Sequence, residues 1–232
     1  MSKTSETAQS GIFEAIKADD LERVKAIISE DPSAVNAVAS KRPSDTRGMS
    51  PLQVSFCTGR HRDIAWLLLE SGADVNYIPD RKIAEEACPA LFDGVNAAIW
   101  KARRYAWEGK STTPLRLEWK HTKEESDDAF AFLRRMPELG ADVSVVNHYG
   151  RNCLMEAVAE ANNICPVKNA QTGECYPGRP VTPEMREDLR RIFTLLIDAG
   201  ADRNNVSAYS KKSIREHYEH ESVRKICGDL WD

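Results

Sequence analysis

Gly72-Ala73-Asp74-Val75-Asn76 recurs as Gly140-Ala141-Asp142-Val143-Ser144 and again as Gly200-Ala201-Asp202-Arg203-Asn204. Each copy follows an apolar helical run: Ile64 to Leu69, Phe130 to Met136, and Ile192 to Ile197. A glycine at the end of such a run can take the left-handed conformation that terminates a helix. The small alanine can tuck under a neighbouring element, and the aspartate can accept local backbone N–H groups to fix a turn. Three copies in the same context are a repeat signal and set how the rest of the chain is read.

Upstream of the first copy, Ser50-Pro51-Leu52-Gln53 has the chemistry of a helix start: serine caps, proline suits the first turn, and Leu52 opens the buried face. Thr113-Pro114-Leu115-Arg116 precedes the second copy in a related way, and Asn152-Cys153-Leu154-Met155 is a weaker match before the third. Turn, capped helix, short link, second helix and Gly-Ala-Asp together resemble the ankyrin repeat, whose signature is Thr-Pro-Leu-His followed by paired helices. The resemblance covers most of the chain. It implies an all-α solenoid of about five helix pairs, with long insertions in the third and fourth repeats, over 10–232 as one domain after a flexible leader at 1–9. The repeats would fall at about 10–47, 48–82, 83–147, 148–206 and 207–232.

Helical spacing supports this order. Ile12, Phe13 and Ile16 share one side of a first helix, and Leu21, Val24, Ile27 and Ile28 line a second that Pro32 stops. Helices are expected near 51–58, 62–70, 123–137, 153–161, 211–218 and 221–229, with a further one opening at Thr182-Pro183-Glu184. The register breaks between Gly72 and Gly140, which lie 68 residues apart. Either Pro89 to Trp107 is a first helix and 108–122 an insertion, or 83–107 is an extra helical segment and Thr113-Pro114-Leu115 restarts the unit. The resemblance favours the former, because Ala97 and Ala98 match its first-helix alanine pair. Another long loop, 162–181, separates what should be paired helices, and loops of this length are often functional or disordered.

A formal net charge of -4 argues against a generic nucleic-acid binder, and no apolar run is long enough to span a bilayer. The polar first ten residues lack the apolar core of a secretory signal. The six cysteines therefore read as mostly reduced thiols of a cytoplasmic protein, expected to be a monomer.

Catalytic motifs are scarce. Gly109-Lys110-Ser111 ends like a phosphate-binding loop, but residue 104 is arginine where that loop needs glycine. Cys165 and Cys175 have neither the spacing nor the second pair of a structural zinc site. His217 and His220, with Cys227 nearby in sequence, fit a solvated cap better than a metal site. No enzyme activity, cofactor or metal is expected.

Recognition is expected instead. By the resemblance, binding residues would sit on projecting turns and first helices: Arg47 in the first turn, Arg81 in the second, His148 and Tyr149 in the third. Tyr176 and Arg179 in the long loop could add contacts. The stretch 100–120 is more specific. Trp100, Tyr105, Trp107 and Trp119 alternate there with Lys101, Arg103, Arg104, Lys110, Arg116 and Lys120. Aromatic and arginine residues are favoured interface anchors. Trp100, Arg104, Trp107 and Trp119 are therefore candidates to grip a protein partner, and the cations of the stretch suit an acidic one. The plainer reading has the tryptophans packing an irregular repeat while the cations are solvated. A nucleic-acid-associated adaptor is the alternative, since such a stretch can stack bases and neutralise phosphates.

Overall fold

A computed structural model describes residues 11–39, 46–57, 62–80, 82–83, 87–109, 116–165 and 181–232. Helix α1 covers 11–17 and α2 Leu21–Glu30, followed by a 3-10 turn at Pro32–Asn36. Then come α3 (Pro51–Cys57), α4 (Arg62–Glu70), α5 (Ala90–Trp100), β1 (Arg104–Glu108), β2 (Arg116–Lys120) and α6 (Lys123–Glu138). The chain continues through α7 (Cys153–Ile164), α8 (Pro183–Asp198), α9 (Ile214–Tyr218) and α10 (Ser222–Cys227).

The all-α expectation is overturned. The chain is 58% helical and carries a two-stranded antiparallel sheet, and among the described residues no regular array of repeats is shown. The departure lies where the sequence register broke. The helix expected to run to Trp107 ends at Trp100, and residues 104–108 pair with 116–120. Tyr105 stands opposite Trp119 and Trp107 opposite Leu117, pairings that suit a pleated surface better than a helix. The proposed restart at 113–115 lies outside the described residues, as do the leader and most of the long loop.

What recurs is local. Gly72, Gly140 and Gly200 all have positive φ, at 88°, 89° and 100°. At the first copy the Ala73 N–H reaches the Leu68 carbonyl and the Gly72 N–H that of Leu69; Ala201 and Gly200 repeat this on Leu196 and Ile197. Asp74 Oδ1 accepts the Asn76 N–H at 2.9 Å, and Asp202 Oδ1 that of Asn204 at 2.8 Å, the local turn bonds the sequence suggested. An asparagine then spans to the following turn. Asn36 donates to Gly72 O at 3.1 Å and accepts from Asp74 N–H at 2.7 Å. Asn76 does the same with Gly140 O (2.9 Å) and Asp142 N–H (2.8 Å).

The helix starts follow their capping residues. Ser50 Oγ accepts from Gln53 N–H, Thr182 Oγ1 from Met185 N–H, and Ser213 forms a reciprocal box with Glu216. Sequence reading expects one domain; by packing, the residues group into two compact units, 1–94 with 138–142, and 95–137 with 143–232. The first has a core of Ile12, Ile16, Val24, Leu52, Ile64, Leu68, Leu69 and Leu91. In the second, Leu133, Met136, Leu154, Val158, Leu189, Ile192, Phe193 and Leu196 are buried, with α7 packed on α8 and α10 on both.

Candidate functional site: an aromatic ribbon and its anchorage

The ribbon of β1 and β2 belongs to the second unit. Opposed residues of an antiparallel pair share a face, and successive residues alternate. Tyr105, Trp107, Leu117 and Trp119 therefore lie on one face, and Arg104, Glu108, Arg116, Glu118 and Lys120 on the other. Trp107 and Trp119 are 41% and 42% exposed, substantial apolar area left open to solvent. The Tyr105 and Trp119 rings meet edge to face, centroids 5.0 Å apart.

Two consecutive arginines tie the ribbon down at its start. Arg103 is buried, and its backbone N–H and Nε both donate to Asp188 Oδ2, at 2.9 and 3.0 Å, while Nη2 donates to Asp188 Oδ1 at 2.9 Å. Nη2 also reaches Glu187 at 3.0 Å. Asp188 is fully buried on α8 and meets Arg191 Nη2 at 3.1 Å; Arg191 in turn bonds Ser126 and Asp127 of α6 and lies over the Phe130 ring. Burial pushes the Asp188 carboxyl up, but the Arg103 hydrogen bonds and the Arg191 charge outweigh it and hold it below the ordinary range. Arg104 turns the other way. Its guanidinium bonds the carbonyls of Trp100 and Ala102 at the end of α5 and lies 5.4 Å from the Trp100 ring centroid.

Other charges in the stretch are also engaged. Lys120 pairs with Glu108 at 2.7 Å and lies 3.5 Å from Glu118, and Lys101 pairs with Glu125. His121 sits at the base of β2 with φ of 65°, its pKa lowered by burial and by Lys101 and Arg104. The basic character read from the sequence is thus largely absorbed within the molecule, and Arg104 is an anchor with only 8% of its surface exposed. Arg116 remains an exposed cation with no ion pair among the described residues.

Trp100 is 45% exposed, and its Nε1–H donates to Glu160 on α7 at 2.7 Å. His148 and Tyr149 lie on a turn in which Asn147 Oδ1 accepts the N–H groups of Tyr149 and Arg151. Their rings are 3.7 Å apart, Arg151 lies over Tyr149, and Tyr149 meets Tyr209 edge to face at 5.8 Å. The Tyr149 carbonyl accepts from Ser207 Oγ and Tyr209 N–H, which pins the turn to 207–209. Trp100, Arg104, Trp107, Trp119, His148 and Tyr149 thus all belong to the second unit, whereas Arg47, exposed on its turn, belongs to the first. Arg81, Tyr176 and Arg179 lie outside the described residues.

No protein-family model and no curated protein matches the chain.

Sequence reasoning missed Glu156, Glu160, Arg151 and Tyr209 as parts of this surface. The four-residue spacing of Glu156 and Glu160 on a helix was the available signal for the first two; nothing local marks Tyr209, which is 79% exposed. Cys88, Cys153, Cys165 and Cys227 are free thiols. Burial pushes Cys165 up to about 12, with Cys227 adding to it, so little of it is thiolate at neutral pH. Cys175, the other cysteine of that stretch, lies outside the described residues. Among those residues no group of three or more potential ligands comes together, and no helix is long and apolar enough to cross a membrane.

Proposed function

We propose that the chain is a non-catalytic protein-recognition module whose partner packs on the aromatic face of the ribbon. The observation that carries this reading is the pair of exposed tryptophans, Trp107 and Trp119, on one face of a sheet whose base is fixed by Arg103 and Arg104. Exposed, preoriented aromatics lose little freedom on binding and bury much area. A two-stranded sheet is marginal by itself, so a ribbon held this firmly and left with open indoles suits a docking role. Kinship to ankyrin-repeat proteins is proposed only at the level of the three Gly-Ala-Asp turns and their asparagine bridges. A monomer in a reducing cytoplasm fits the free thiols.

Nucleic acid is the alternative outcome. Base stacking on the tryptophans is chemically reasonable, but phosphate binding needs available cations, and most of those described here are paired internally. A photoreactive amino acid placed at position 107, with position 203 on an exposed turn as control, separates the two in cells. The expected result is a protein adduct from 107, absent from 203 and insensitive to nuclease. An adduct lost on nuclease treatment, or one equally strong from 203, overturns the proposal.

A further inference from the structure

We propose that the surface running from Trp100 over α7 to Tyr149 docks a basic polypeptide segment, one that presents arginine or lysine between apolar residues. This goes beyond the ribbon and shares with that reading only the premise that the partner is a polypeptide.

Trp100 is an exposed anchor with a fixed orientation, because Glu160 holds its indole N–H at 2.7 Å. Glu160 has no cation partner among the described residues. Glu156, one turn earlier on the same helix, accepts from Asn147 at 3.2 Å, and its nearest cation, Arg151, stands at 3.8 Å. That guanidinium is shared with the Tyr149 ring. A third carboxylate, Glu221, is bonded to Asn162 of α7 at 3.4 Å. Glu156 and Glu160 on α7, with Glu221 bonded to the same helix, thus lie beside the exposed rings of Trp100 and Tyr209 and the half-buried ring of Tyr149. Arg104, over Trp100, is held by the Trp100 and Ala102 carbonyls, and Arg151 is the cation that pairs with Glu156. Burial, then the proximity of Glu160, raise the Glu156 carboxyl, and Arg151, Asn147 and His148 only partly offset this.

Charge complementarity therefore selects a cationic occupant, the reverse of what the basic residues of 100–120 suggest when read in sequence. Arginine fits best. A planar guanidinium can donate to a carboxylate while stacking on an adjacent ring. Arg151 shows the arrangement in the protein itself, 3.8 Å from the Glu156 carboxylate and over the Tyr149 ring. Apolar neighbours in the segment would cover the open faces of Trp100 and Tyr209.

The test titrates the full chain with a short Arg-Leu-Ser repeat peptide and with its glutamate-for-arginine counterpart. It follows the Trp100 indole N–H resonance, assigned by its loss in Trp100→Phe. A saturable shift with the arginine peptide alone is expected, weakening with salt. Glu160→Gln keeps an acceptor for the indole and removes the charge, so it should weaken binding about tenfold with the fold intact. Glu124→Gln, which removes an exposed carboxylate of α6 away from this surface, should bind normally, which separates loss of the Glu160 charge from a change in net charge. The proposal fails if the arginine peptide leaves the resonance unmoved, if the glutamate peptide shifts it equally, or if Glu160→Gln binds like the wild type.

Discussion

Arg103 donates three hydrogen bonds to Asp188, one from its backbone and two from its guanidinium, across a sequence separation of 85 residues. The aspartate is fully buried and the arginine nearly so. This contact fixes where the chain leaves α5 and turns into β1. Removing one partner of a buried pair leaves the other charge uncompensated. Asp188→Ala should cost about 3 kcal/mol, read as a lower midpoint in denaturant. Arg103→Met with Asp188→Leu should recover more than half of that loss. Because the folded Asp188 carboxyl lies below its ordinary 3.8, its contribution is present above that pH and lost as pH falls through the folded value. If Asp188→Ala matches wild type at neutral pH, the pair is not an anchor.

Helix starts and stops were legible in sequence because their chemistry is local. Thr182 caps α8, Ser50 caps α3, and the glycines of the three repeated turns take positive φ where the pattern put them. The ribbon was not legible for two physical reasons. The helical run through Ala97 to Ala102 carries its periodicity toward Trp107, and five-residue strands offer too few alternations to outweigh it. The alternation of Tyr105 with Trp107 and of Leu117 with Trp119, bracketing Gly109 and Pro114, was nonetheless a hairpin signal. The intramolecular partners of the two arginines, Asp188 and the carbonyls of Trp100 and Ala102, were not legible because they are decided by tertiary packing or by where α5 stops. Charge in a sequence says nothing of whether it is already spent.

Two glycines with similar backbones should respond differently to substitution. Gly72 has φ of 88° and open space around the missing Cβ, so Gly72→Ala carries only the strain of a left-handed alanine, about 1 kcal/mol. Gly150 has φ of 70°, and an added Cβ would meet the Ala208 Cβ and backbone N at 2.6 Å. Gly150→Ala must also displace the 207–209 segment and should cost at least about twice as much. Thermal unfolding of the two variants side by side checks this, and equal losses would show that the Tyr149 turn is not held against Ala208.

Asp93 lies part-buried at the start of α5, where burial raises its carboxyl to about 7 despite a hydrogen bond from Gln53. A carboxyl raised on folding adds stability fully below its unfolded value and loses it as pH rises through the folded one. The window is therefore from about 4 to about 7, with a plateau of lower stability above. Asp93→Asn should flatten this slope and stabilise the protein at pH 8 by about 2 kcal/mol, half of what a fully desolvated group would give. Denaturant unfolding at pH 5 and pH 8 reads it; a gain of equal size at both would assign the effect to packing.

The ribbon offers the last expectation. Tyr105 and Trp119 face each other across the strands with rings at 77°. Such edge-to-face pairs are worth about 1 kcal/mol beyond area burial. A double-mutant cycle with Tyr105→Ala and Trp119→Ala should return that coupling. The Glu108–Lys120 pair on the opposite face is exposed and will be screened by salt. Ribbon stability should accordingly follow the aromatic pair and vary little between low and high ionic strength. Zero coupling between the rings, with a strong salt dependence instead, would mean that the ion pairs hold the ribbon and that its aromatic face is not preorganised for a partner.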